Sequence, residues 1–195
     1  MPIRRSFYFI RHGETDWNKE QRFQGTMDIP LNNTGREQAR LAAQNTFHLP
    51  IDMIVSSTLS RAYETAEIIN SKLQKPLLTD KRLVEKAYGI FEGMEKTARE
   101  KWAEEAIKNN PNIAIEANGF PLPDGAEPYN EFKSRILDAI NDYLSTYQHK
   151  NILFVAHAGV YRALHREIKG VMHQPENARP FLFDKDNDKW EIKKL

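Results

Sequence analysis

No cysteine occurs anywhere in the 195 residues. Disulfides, thiolate nucleophiles and Cys-ligated zinc or iron–sulfur sites are therefore excluded. Long apolar runs are missing as well: no stretch approaches the roughly 20 residues that span a bilayer. The basic N-terminus, Ile3-Arg4-Arg5-Ser6, leads into only four apolar residues, Phe7 to Ile10, too few for a signal-peptide core. A cytoplasmic location is the expectation. Nor is there an excess of charge of either sign. Lys and Arg number 28 against 27 Asp and Glu, a formal charge of +1. A strong whole-molecule field is ruled out, so neither nucleic acid nor a membrane surface is an expected partner. A small anion held at one local site is not ruled out. Internal repeats and low-complexity segments are absent.

What is present suits one domain spanning residues 1–195: the hydrophobic share is 40%, enough for a sizeable core. Phe7 to Ile10, ending at Arg11, reads as a buried strand. Residues 12–33 are polar and rich in Gly, Asp, Asn and Thr, and read as a long loop. Thr34-Gly35-Arg36-Glu37 has the capping-box form. It predicts a helix to about Phe47 with Ala39, Ala42, Ala43 and Phe47 on its apolar side. Ile51–Val55 is a second strand, and Ser56, Ser57 and Thr58 are placed to cap a helix from about Leu59 to Leu73. Pro76–Leu78 is a short third strand, and Glu95–Asn109 a helix.

Residues 110–125, broken by Pro111, Pro121 and Pro123, must be irregular. Tyr129, Phe132, Ile136, Ile140, Tyr143 and Tyr147 recur at steps of 3 and 4, which predicts a long amphipathic helix. Asn151–Ala156 is another buried strand, followed by a helix through about Lys169. Pro180–Leu195 reads as a hairpin turning at Asp186-Asn187-Asp188. This alternation predicts a three-layer α/β/α sandwich with a mainly parallel sheet. Residues 86–128 depart from it and are expected to be an insertion or cap over the active site, not an independent domain.

Three strand ends carry the chemistry. Arg11-His12-Gly13-Glu14 follows the first strand, Ser56-Ser57-Thr58-Leu59-Ser60-Arg61 the second, and His157-Ala158-Gly159 the strand at 151–156. Ligands of open parallel sheets bind beyond the carboxyl ends of the strands. Two Arg, two His and two helix N-termini there make an anion-seeking pocket. Arg61 in a first helical turn is misplaced against the helix dipole, and a bound anion would explain it. Arginine matches phosphate oxygens bidentately. Of the two Arg and two His gathered there, His is the one remaining nucleophile that is partly neutral at pH 7 and can carry a phosphoryl group. The leaving alkoxide then needs an acid. Glu85 is the candidate, with Glu14, Glu92 and Glu127 as rivals.

These residues resemble the histidine phosphatase superfamily, the group that includes cofactor-dependent phosphoglycerate mutases, in its short-chain branch 1. Arg11-His12-Gly13-Glu14-Thr15-Asp16-Trp17-Asn18 resembles the family signature. Gln24-Gly25 and Asp28 through Gly35 resemble the segment that follows it. Ser56-Ser57 through Arg61-Ala62 with Thr65-Ala66, Glu85 with Gly89 and Glu92-Gly93, and Val155 through Val160 resemble the later motifs in family order. The resemblance implies a phosphoglycerate mutase-like fold in which His12 is transiently phosphorylated. It implies that Arg11, Arg61 and His157 hold the phosphoryl group and that Asn18 contacts it from the first loop. It implies that Glu85 protonates the leaving group and then activates water or an acceptor hydroxyl. Gln24, Gly25, Thr26 and Ala158 would line the pocket. Ala158 stands where many members have Gly, which matters only if that backbone needs a positive φ.

The expected activity is that of a metal-independent phosphomonoester phosphatase of the histidine acid phosphatase type. It would take a small phosphorylated metabolite and release inorganic phosphate, with no cofactor. Two alternatives stand beside it: a cofactor-dependent phosphoglycerate mutase, and a phosphate-binding or scaffolding protein without turnover. His48, His149, His165 and His173 read as structural or exposed. The spacing of His157, His165 and His173 is not that of a helical zinc site. Gly93-Met94-Glu95-Lys96-Thr97 ends like a P-loop but lacks its second Gly. The insertion offers Tyr88, Phe91, Met94, Trp102, Phe120, Lys86, Lys96 and Arg99 as candidate substrate contacts.

Overall fold

A computed structural model of the chain describes residues 2–113, 115–116, 120–187 and 189–195. Its strands, in chain order, are β1 (Phe7–Arg11), β2 (Met53–Ser56), β3 (Leu77–Thr79), β4 (Ile152–Ala156), β5 (Pro180–Asp186) and β6 (Lys189–Lys194). They form one mixed sheet in the order β3-β2-β4-β1-β5-β6. The four strands from β3 to β1 pair in parallel, and the β5–β6 hairpin adds antiparallel to β1.

Alternation within β1 explains the layers. Phe7 and Phe9 point to one face and pack with Phe132, Ile136, Ile140, Phe154 and Val160. Tyr8 and Ile10 point to the other and pack with Ala42, Ala43, Ala66, Ile69 and Val155. Both faces of a central strand are thus buried, as a parallel sheet requires. Helices α2 (Asn33–Thr46) and α3 (Ser60–Leu73) cover one face, α5 (Tyr129–Thr146) and α6 (Ala158–Lys169) the other. This is the α/β/α sandwich. Phe7 stacks on Phe183 at 4.7 Å, which binds the hairpin to the sheet. No described helix is long and apolar enough to cross a membrane.

Several local expectations are corrected. The loop after β1 contains a short helix, α1 (Asp16–Lys19), capped by Thr15 and closed reciprocally by Asn18. Helix α2 is capped by Asn32, whose side chain accepts from the Gly35 amide, and not by the box at Thr34. Phe47 is 66% exposed because it lies past the last helical turn. Ser56, Ser57 and Thr58 do not cap α3. The Ser60 amide is instead taken by the Asp28 carboxylate, reaching across from the loop before α2. Helix α4 (Ala98–Asn109) begins three residues later than Glu95. Asn187 lies in the hairpin turn at φ +52; Asp188 falls outside the described residues.

Candidate active site

The site follows from strand order. Because β4 lies between β1 and β2, the carboxyl ends of all three strands are neighbours. The ladder runs one residue beyond the strands: the His12 amide donates to Ala156 O and the Ser57 amide to Val155 O, each at 2.9 Å. Helix α2, which follows β1 after the long loop and α1, lies on one face of the sheet, and α6, which follows β4, on the other. A crevice therefore opens between them, as at a topological switch point.

His12 is 3% exposed, and its Nδ1 lies 2.6 Å from Gly13 O. A carbonyl oxygen can only accept, so Nδ1 carries the proton and Nε2 keeps its lone pair. Burial, then the charges of Arg61 and Arg11, hold the His12 ring well below its ordinary range, so it stays neutral. The His157 ring lies 5.3 Å away, centroid to centroid. His157 Nε2 is 2.8 Å from Ser57 Oγ, which also accepts the Leu59 amide. Ser57 can donate its own proton to that nitrogen, which leaves His157 Nδ1 as the donor. His157 Nδ1 is buried and has no hydrogen-bond partner among the described residues.

The two arginines are fixed by backbone carbonyls. Arg11 Nη1 donates to Pro175 O at 3.0 Å. Arg61 donates through Nη1 to Met27 O (2.7 Å) and through Nη2 to Gly25 O (2.8 Å). The first-turn arginine is therefore anchored by the loop before α2. Burial pushes both guanidinium groups down to about 10, with Glu85 opposing the effect. Arg11 Nε and Arg61 Nε are buried and unpartnered among the described residues. Buried donors without acceptors are costly, and an anion with several oxygens would supply acceptors to guanidinium groups that line the same cavity as His12.

Glu85 enters from the loop after β3. Its Oε2 accepts the Gly159 amide and its Oε1 the Lys86 amide, each at 2.8 Å. Behind it, Arg135 of α5 donates to three carbonyls, Arg82 O and Val84 O at 2.7 Å and Glu85 O at 3.1 Å, while paired with Glu127. The rival carboxylates are engaged elsewhere. Glu14 accepts Asn32, Glu92 accepts Thr26 and the Tyr88 amide, and Glu127 holds Arg135.

A cavity of about 550 Å³ opens beside this cluster; His157, fully buried, does not itself line it. Arg11, His12, Asn18, Gln24, Gly25, Arg61, Glu85 and Ala158 all line it. Asn18 Oδ1 is used by Thr15, so its amide NH₂ is the end left to face a ligand. Thr26 is not brought in: it is exposed, with its amide and hydroxyl on Glu92. Ala158 is the first residue of α6, where helical backbone suits alanine, so no positive φ is needed there. From the insertion, Lys86, Tyr88, Phe91, Lys96, Arg99 and Phe120 reach the wall. Met94 and Trp102 do not line it; Met94 is exposed, and Trp102 packs edge-on against Phe91 at 5.1 Å.

Three site residues escaped the sequence reading. Arg162 lines the cavity and donates to Gln174 Oε1 and to the Tyr88 hydroxyl. Its position, three residues after Gly159 on the same helical face, was the available signal. Arg135 was visible only as a charge on the long helix. Asn177, whose Nδ2 donates to His12 O at 2.9 Å, lies in a segment with no periodicity to place it. His165 bonds the Val171 carbonyl and packs, tilted, against Tyr161 and His173, away from the cavity. Among the described residues no group of three or more His, Asp or Glu is arranged to hold a metal ion.

Comparison with known proteins shows what the chain is similar to. The model of the histidine phosphatase superfamily (branch 1) matches residues 7–193. The uncharacterized phosphatase PhoE of Bacillus subtilis is 38% identical over 161 residues, covering 83% of this chain and 76% of that protein. The phosphoglycerate mutase-like protein 4 of Arabidopsis thaliana is 32% identical over 192 residues, covering 94% and 81%. Among solved structures, the α-ribazole phosphatase of Shigella flexneri superposes with a TM-score of 0.79 at 26% identity, covering 97% of this chain and 95% of that one.

Proposed function

The chain belongs to the histidine phosphatase superfamily, branch 1, and from that premise we propose that it hydrolyses a small phosphate monoester through a phosphorylated His12. It is a phosphatase of that family, like the relatives that bear the name. His12 Nε2 attacks phosphorus and the P–O bond to the alcohol breaks. The departing oxygen takes the proton of the Glu85 carboxyl. Glu85, now a carboxylate, takes a proton from water as that water's oxygen attacks phosphorus. The P–N bond breaks, and inorganic phosphate leaves with His12 neutral again. Arg11, Arg61 and His157 Nδ1 donate to the three equatorial oxygens, where charge builds. Asn18 and the Gln24–Gly25 turn border the same space.

The observation that carries this reading is the His12 ring: neutral, fixed in one tautomer by Gly13 O at 2.6 Å, and flanked by two guanidinium groups. A ring that stays unprotonated below its ordinary range also supports working in mildly acidic solution, the histidine acid phosphatase type of behaviour. Residues 86–128 supply much of the outer wall, and we read them as a cap on the single domain.

The test is direct. Wild type incubated with a radiolabelled monoester and quenched in alkali should retain label that acid removes, the signature of a phosphoramidate. His12→Ala should lose both the label and phosphate release; retained turnover would sink the mechanism. Glu85→Gln should slow turnover by ~10²–10⁴-fold while phosphate still binds. Kinship to a mutase-like protein keeps phosphoglycerate mutase as a second reading. Rapid interconversion of 3- and 2-phosphoglycerate that depends on 2,3-bisphosphoglycerate would favour it.

A further inference from the structure

Beyond the phosphoryl site, the cavity is more cationic than one phosphate needs. Its wall carries seven Arg or Lys side chains but only two carboxylates, Glu85 and Glu116. Four of the seven are accounted for. Arg11 and Arg61 face the phosphoryl group, Lys86 pairs with Glu116 at 2.9 Å, and Arg22 pairs with Glu20 at 2.7 Å. The other three are Lys96, Arg99 and Arg162. Among the described residues none of these has a carboxylate within 4.0 Å.

Their contacts are neutral ones. Lys96 Nζ reaches Gln21 Oε1 at 3.3 Å. Arg162 donates to Gln174 Oε1 at 2.7 Å and to the Tyr88 hydroxyl at 3.2 Å. The Arg99 guanidinium lies 3.8 Å above the Phe120 ring and 5.6 Å from that of Phe23, and its Nε is buried with no hydrogen-bond partner among the described residues. Stacking on a ring occupies the face of a guanidinium and leaves its edge donors aimed in the plane. The charge of Arg162 acts on the other two, while Arg162 itself is held up against its own burial by Tyr88 and Glu85. Burial lowers Lys96 and Arg99, and the charge of Arg162 adds to the lowering in both.

Like charges gathered in a half-buried wall are unfavourable unless an anion joins them. A substrate whose alcohol portion is neutral would leave that repulsion in place. We propose that Lys96, Arg99 and Arg162 form a second anion subsite, so that the substrate is a phosphomonoester carrying a further carboxylate or phosphate on its alcohol portion. The cavity, at about 550 Å³, is the size of a small-metabolite site. Phe23, Phe91 and Phe120 give the linking carbons an apolar wall.

This inference rests on the phosphatase reading, and matched esters test the two separately. One pair is 3-phosphoglycerate and glycerol 1-phosphate, which differ by a carboxylate in place of a hydroxymethyl group. The other is propane-1,3-diol bisphosphate and 3-hydroxypropyl phosphate. In wild type, kcat/KM for the doubly anionic member of at least one pair should exceed that of its partner by about tenfold or more, mainly through KM. Which pair shows it distinguishes carboxylate from phosphate. Arg99→Gln and Arg162→Gln should each reduce that ratio several-fold, and Arg99→Lys should restore part of it. A wild-type ratio near one in both pairs, or a ratio unmoved in the variants, overturns the subsite. Calorimetric binding of the same four esters to His12→Asn reads the subsite without turnover, and equal affinities within both pairs overturn it as well. If instead no ester is hydrolysed and no acid-labile label forms, but the doubly anionic esters still bind tighter, the subsite stands and the phosphatase reading falls.

Discussion

The Glu85 carboxylate can be displaced without touching Glu85. Gly159 is the second residue of α6, and its amide donates to Glu85 Oε2 at 2.8 Å. A methyl group placed there would lie 1.9 Å from Glu85 Oε1 and 2.8 Å from Cδ, whereas ordinary contact begins at 3.4 Å. The backbone does not resist the change, because Gly159 is not at a positive φ. Alanine in a helix is favoured over glycine by roughly 0.5–1 kcal/mol. What must give is the free end of a glutamate, which has to retreat by more than an ångström. A misplacement of about that size costs on the order of 10²-fold when the group acts in the transition state. Gly159→Ala should therefore melt close to wild type yet lose ~10²-fold in kcat/KM on an alkyl phosphate, whose leaving oxygen needs a proton. On 2,4-dinitrophenyl phosphate, whose leaving group departs without one, the loss should be only a few-fold. Equal losses on both substrates would mean that the methyl blocks the nucleophile or the phosphate. No loss on either would mean that Glu85 is not the acid at this position.

Arg135→Gln, which withdraws the clamp from the Arg82, Val84 and Glu85 carbonyls, should reproduce that leaving-group selectivity, but with a lowered melting temperature and partial rescue by Arg135→Lys. Arg61→Ala leaves the Gly25 and Met27 carbonyls without their donor. It should cost about 1–3 kcal/mol for each carbonyl that stays buried, measured by urea unfolding, and phosphate should no longer raise the midpoint. His12 and His157 are both held neutral, chiefly by burial and then by Arg61, while in the unfolded chain they protonate near pH 6.5. The unfolded state then binds more protons as pH falls below that value. Each ring should therefore remove stability on the order of 1 kcal/mol per pH unit in the acid direction, down to its own depressed folded value. His157→Gln should flatten the decline between pH 6.5 and 5.5, and an unchanged slope would show that its ring protonates alike folded and unfolded.

Much of this protein could be read before it was seen folded. The apolar runs at 7–10, 53–55 and 152–156 marked the central strands because full burial on two faces demands continuous hydrophobicity. The Arg-His, Ser-Ser and His-Ala-Gly junctions after them named His12, Arg61 and His157. Local chemistry also misled. The Thr34 box looked like a helix start, but Asn32 had already taken the cap, and the hydroxyls before α3 yielded to Asp28, a residue 32 positions away.

The order of side chains along the chain pointed to the candidate groups, since a strand end followed by a helix start brings its junction residues to one edge of the sheet whatever lies elsewhere. Only the packed molecule decided how those groups behave. The insertion of β4 between β1 and β2 put His12 and His157 5.3 Å apart, and a carbonyl one residue on fixed the imidazole tautomer. Burial kept both rings uncharged. Arg99, Arg162 and Arg135 gained their places from folds of the chain far from the motifs. Hydrogen bonds and charge coupling depend on distance in space, and that is the quantity a linear order of residues does not contain.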